Sequence, residues 1–134
     1  MLEMALEENS KLLQLEKASL NPKAKDKYSQ YDIVTNINNL TEFGFLCYVK
    51  MFEMDNAITF FQQNYIESDK EISLYILLRL LFSLNHKEHF LREYEAAVKD
   101  GVKPRDELVK TYKFTKETGQ LPEYFGWFGK KPAG

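Results

Sequence analysis

Residues 68–112 read SDKEISLYILLRLLFSLNHKEHFLREYEAAVKDGVKPRDELVKTY, and this stretch decides the fold. From Ile72 to Leu84 almost every position is apolar, interrupted only by Ser73, Arg79 and Ser83. A run this short falls well below the roughly 20 residues that a helix needs to cross a bilayer core. A helix apolar on every side must instead be covered on several faces. Ser68 and Glu71 predict a capping box that opens this helix, Asp69 to Leu84. Asn85 and Glu88 repeat the pattern for a helix from His86 to Lys99, whose stripe is Phe90, Leu91, Tyr94, Ala97 and Val98. Gly101 lies just past its end, where a left-handed cap costs little. Pro104 then sits at the first turn of a last helix lined by Leu108, Val109, Tyr112 and Phe114. Gly119 and Pro122 stop it.

Upstream, Asp55 is placed to cap a helix from Asn56 to Tyr65, with Ala57, Ile58, Phe60, Phe61 and Tyr65 as its apolar positions. Between Tyr31 and Lys50, Ile33, Val34, Ile37 and Leu40 fit helical spacing. Thr41 is a candidate cap for a further helix, Glu42 to Phe52, which Gly44 weakens by about 1 kcal/mol relative to Ala. The first helix spans Leu2 to Ser19. Leu6, Leu13 and Leu20 recur every seven residues, with Leu2 and Ala5 beside the stripe. Asn21-Pro22 ends it, because the residue before proline resists the helical region. The polar stretch Asn21 to Gln30 reads as a linker. The expected organisation is a helical arm and linker at 1–30, a helical-hairpin domain at 31–119, and an irregular aromatic tail at 120–134. A solitary amphipathic helix of the arm's length is marginal in water, so the arm must find a groove on this chain or another.

Composition sets the class. The chain has 134 residues, a size suited to one domain. Hydrophobic residues make up 44% and charged residues 28%, which fits a globular protein and not a disordered one. Six Gly and four Pro are too few for a turn-rich β-sandwich, so the expectation is all-α. The formal charge is −2, without the basic footprint that phosphate neutralisation requires. The cluster Lys99, Lys103, Arg105, Lys110, Lys113 and Lys116 is interrupted by acids; it reads as a solvated face or a salt-sensitive contact with an acidic partner. Acids at Glu3, Glu7 and Glu8 argue against a secretory signal or a basic presequence. Cys47 is alone, so neither an internal disulfide nor a Cys-rich metal site is expected. His86, His89 and Glu93 share a helix face, but without a fourth ligand they recruit metal poorly. Nothing in the sequence orients either histidine as a base towards Cys47, and no Gly-rich phosphate loop is present. The expectation is a protein with no catalytic residue, no cofactor and no metal.

Short helices stacked in order form an α-solenoid, so the expected architecture is a right-handed superhelical stack of the tetratricopeptide or pentatricopeptide kind. The segment FLREYEAAVKDGVKPRDELVKTY resembles one pentatricopeptide-type hairpin. The longer stretch YVKMFEMDNAITFFQQNYIESDKEISLYILLRLLFSLNHKEHFLREYEAAV resembles the cytochrome c oxidase subunit Va family, subunit VI in fungi. Leu78-Arg79, Leu84-Asn85 and Val98-Lys99-Asp100 stand at the matching places. Thr118 to Tyr124 is similar to that family's closing turn. The likeness covers Tyr48 to Phe125; Met1 to Gln30 has no counterpart, and the tail is more aromatic. The resemblance implies a cofactor-free peripheral subunit on the matrix side of the mitochondrial inner membrane, acting in assembly, stability or regulation. Its partners would be other subunits of a membrane complex, with indirect membrane contact. The candidate contact residues are Leu2, Leu6 and Leu13 on the arm, Lys103 and Arg105 on the basic rim, and Tyr124, Phe125, Trp127 and Phe128 on the tail. The competing expectation is a pentatricopeptide-like RNA binder or another helical-repeat adaptor. Reading RNA one base per repeat needs several repeats, and one is visible.

Overall fold

A computed structural model of the chain describes residues 1–20 and 27–123, with side chains placed from residue 30 onward in the second helix. It contains six helices: α1 (Leu2–Ser19), α2 (Lys27–Lys50), α3 (Met54–Asn64), α4 (Lys70–Ser83), α5 (Lys87–Lys99) and α6 (Asp106–Thr118). No strand occurs among the described residues, so the all-α class holds. The chain divides into two compact units, Met1–Ile66 and Glu67–Gly134, the second described through residue 123. That division cuts through the hairpin domain expected at 31–119. The tail, from Tyr124 onward, lies outside the described residues.

In the first unit α1 packs on α2, and α2 on α3. Its core is Leu13, Ile37, Phe45, Cys47, Ala57, Ile58 and Phe61, all buried. Phe61 meets Phe45 edge-on at 6.2 Å and stacks on Tyr65 at 4.7 Å, geometries that aromatic quadrupoles favour. The helix α2 begins inside the stretch expected to be linker, because Lys and Gln form helices readily and a polar run need not be irregular. It also runs unbroken through Thr41, which caps nothing. The Thr41 hydroxyl donates to the Ile37 carbonyl at 2.7 Å, which allows a buried polar side chain mid-helix.

In the second unit α4 packs on α5, and α5 on α6. Leu74, Leu77, Leu78 and Leu81 form the buried stripe of α4, and Phe90 and Tyr94 of α5 and Leu108 of α6 are buried too. The inward face of α6 is Leu108, Thr111 and Thr115, not the expected stripe of Leu108, Val109, Tyr112 and Phe114, of which the last three are half-buried. Thr111 and Thr115 donate to the Glu107 and Thr111 carbonyls, each at 2.7 Å. Their hydroxyls are thereby satisfied, and their methyl groups pack like small aliphatics.

One device ends three helices. After α2, α4 and α5, a residue takes positive φ: Phe52 at 61°, Asn85 at 59° and Gly101 at 90°. Each donates its N–H to a carbonyl three residues back, and the following residue reaches five back: Glu53 to Tyr48, His86 to Leu81, Val102 to Ala97. Carbonyls left over at the helix ends are thus paired. These turns shift the expected caps. Asn85 terminates α4 and does not open α5, whose cap position is His86. Glu53 takes the cap position of α3, and Asp55 falls in its first turn. Asp69, not Ser68, caps α4, accepting from the Glu71 and Ile72 amides. Pro104 precedes Arg105, the cap position of α6.

Candidate functional site

The first unit is fastened at Gly44. A Cβ there would lie 2.3 Å from Phe60 Cε1 of α3 and 3.0 Å from Asn9 Nδ2 of α1, so three helices converge on a position only glycine fits without a shift. Asn9 is buried and donates to the Leu40 carbonyl at 2.9 Å. Lys17 of α1 donates to Asn64 at the end of α3. The Asn38 side chain donates to the Ile66 carbonyl at 3.1 Å and accepts from its amide at 2.7 Å. Through these contacts the arm docks on its own chain. Leu13 is 1% exposed and Leu6 half-buried, so both serve internal packing, while Leu2 remains exposed.

The second unit joins the starts of α4 and α6. Arg105 Nε donates to Glu71 Oε1 at 2.6 Å and Nη2 to Oε2 at 3.0 Å, while its guanidinium lies 3.8 Å from the Tyr75 ring centre. The hydrogen bond from Arg105, with its charge, holds the Glu71 carboxyl below its ordinary range. Arg105 is therefore engaged within the chain, whereas Lys103 stands exposed on the rim. A second cluster joins α5 to α6. Tyr94 stacks on Tyr112 at 4.1 Å, and the Tyr112 hydroxyl donates to Glu95, which also pairs with Lys116 at 3.5 Å. That hydrogen bond to Glu95 pushes the Tyr112 phenol up to about 12.

The residues the sequence singled out for chemistry lie in different units, Cys47 in the first and His86 and His89 in the second. Cys47 is buried in α2, and burial pushes its thiol up despite Lys50 nearby. The His86 and His89 rings meet edge-on at 5.9 Å. Among the described residues no group of three or more His, Cys, Asp or Glu is arranged to hold a metal ion. No described helix is long and apolar enough to cross a membrane.

What the described surface does offer is apolar. Every exposed large apolar side chain among the described residues except Val98 lies on the first unit. Met4, Leu12 and Leu15 stand on the outer side of α1, Tyr31 and Phe43 on α2, and Phe52 at the α2–α3 turn. Phe52 is 95% exposed in a left-handed conformation that costs a non-glycine residue about 1–2 kcal/mol. Neither its conformation nor its exposure was legible, since KMFEMD contains no Gly or Asn to mark a turn. The outer residues of α1 were legible in principle: Met4, Leu12 and Leu15 fall off the leucine heptad and form a second stripe.

Comparison with protein families, with curated proteins and with solved structures finds no match for this chain.

Proposed function

We propose that this protein is a non-catalytic accessory subunit that works through protein–protein contacts, and that its assembly is mitochondrial cytochrome c oxidase, on the matrix side of the inner membrane. The placement in the oxidase draws on the likeness of residues 48–125 to the subunit Va family. In this reading successive hairpins stack into a right-handed superhelix; its support is that within each unit the helices pack on their chain neighbours. The observation that carries the contact role is Phe52. The left-handed backbone of Phe52 closes α2, a task Gly or Asn performs at lower cost, while its ring stands 95% exposed in solvent and adds no packing to the fold. Aromatic side chains are also the commonest energetic anchors of interfaces.

The test is native electrophoresis of detergent-solubilised mitochondrial membranes carrying a tagged chain. The tag is expected to co-migrate with oxidase activity, and Phe52→Asn to reduce that co-migration about tenfold. Asn tolerates left-handed φ, so this variant keeps the turn and separates lost contact from lost folding. A tag that runs apart from intact oxidase overturns the assembly; a salt-sensitive shift of single-stranded RNA would move the reading to nucleic acid.

A further inference from the structure

The α1 helix has two faces. Leu6, Asn9 and Leu13 turn to α2, and at 3.6 residues per turn the opposite side carries Met1, Met4, Glu8, Lys11, Leu15 and Ala18. These six alternate by three and four residues, the spacing of a helix-pairing seam. All six are exposed: Met4 and Leu15 are each 66% exposed, and the Glu8 and Lys11 side chains 73% and 63%.

We infer that this face is a homodimer seam in which α1 of one copy pairs antiparallel with α1 of a second copy. The sequence of the stripe selects both the occupant and the direction. With the two-fold axis midway between Glu8 and Lys11, Met4 meets Leu15 of the second copy, Met1 meets Ala18, and Glu8 meets Lys11. Symmetry makes each pair twice, as an isologous interface requires. A parallel, in-register pairing would set Glu8 on Glu8 and Lys11 on Lys11, opposing like charges at the centre. In the single chain Lys11 reaches only exposed carboxylates, Glu8 at 3.6 Å and Glu7 at 3.7 Å, so turning to a second copy gives up little. The seam is read from α1 alone and stands apart from the oxidase assignment. Its length places it in the weak, concentration-dependent class of interfaces.

The test is sedimentation of the full chain over about a hundred-fold range of concentration, with charge-reversed variants. The wild type is expected to shift from monomer to dimer. Glu8→Lys and Lys11→Glu are each expected to remain monomeric, since each sets like charges across the axis. Mixed together, the two variants are expected to dimerise, because the paired lysines of one then face the paired glutamates of the other. Far-ultraviolet circular dichroism checks that each variant stays folded. A wild type that is monomeric throughout overturns the proposal, leaving the stripe to the chain's own tail or to another protein. A dimer that both single variants preserve also overturns it, since the contact would then lie elsewhere.

Discussion

At Gly44 two effects of one methyl group oppose each other. Alanine would improve the helix by about 1 kcal/mol, while overfilling a packed contact costs about 1–3 kcal/mol. The Phe60 ring is half-buried and tilted against Tyr48 at 5.6 Å, so it has little freedom to retreat. Gly44→Ala is therefore expected to lower stability by about 1 kcal/mol. Urea denaturation measures it; a raised midpoint would show that the ring yields freely. In the sequence this glycine reads only as a weakness, because propensity counts backbone entropy and the two residues that crowd it lie far along the chain. Asn9, Thr111 and Thr115 were hidden for a similar reason: polarity disguised inward positions whose hydrogen bonds are satisfied locally or across a helix crossing. Tyr112 offers a test by pH. Its folded phenol, pushed up to about 12 by the hydrogen bond to Glu95, holds its proton more tightly than the unfolded chain does. The stabilisation is full below about pH 10 and is lost as pH rises towards 12. Burial raises Tyr94 as well, so phenolate absorbance is expected to show more than one late-ionising tyrosine, of which Tyr112→Phe removes one and Glu95→Gln brings that one to lower pH. An unchanged titration in both variants would refute the assignment.

At the scale of the element, helix types were legible and helix starts were not. The patterns at Ser68/Glu71 and Asn85/Glu88 resemble capping boxes, yet the end of the preceding helix has first claim on the connecting residues. Asn85 takes left-handed φ to close α4, and it cannot at the same time open α5. Glu71 has a better partner than an amide: the Arg105 guanidinium binds both of its oxygens. Asp69 is left as the acceptor for the free amides of α4, with Oδ1 2.9 Å from the Glu71 nitrogen. Replacing it removes that acceptor, whereas Ser68 accepts nothing in the cap. Asp69→Ala is expected to cost about 1 kcal/mol, and Ser68→Ala only a few tenths. Thermal denaturation of the pair decides between the two cap positions; equal effects would return the cap to Ser68.

For the whole molecule, the all-helical class followed from hydrophobic spacing and the scarcity of Gly and Pro, but the division of the chain did not. The polar stretch at 21–30 carries the composition of a boundary, yet α1 returns to α2 through Asn9 and to α3 through Lys17, with Leu13 buried. The boundary at Ile66 and Glu67 sits in NYIESDK, which has neither Gly nor Pro to announce it. Composition reports how a segment is solvated, whereas unit membership depends on which distant residues complete its core. Each unit has such a core, one around Leu13, Phe45 and Phe61, the other around Leu78, Phe90 and Leu108. A cavity cut in one should therefore loosen that unit first. Leu13→Ala removes a side chain that is 1% exposed and is expected to cost about 2–5 kcal/mol. Native-state hydrogen exchange should show faster amide exchange across α1 to α3, with α4 to α6 keeping their protection, because opening free energies follow cooperative structural units. Acceleration of equal size in all six helices would mean that the chain opens as one body, and that α1 stabilises the entire molecule.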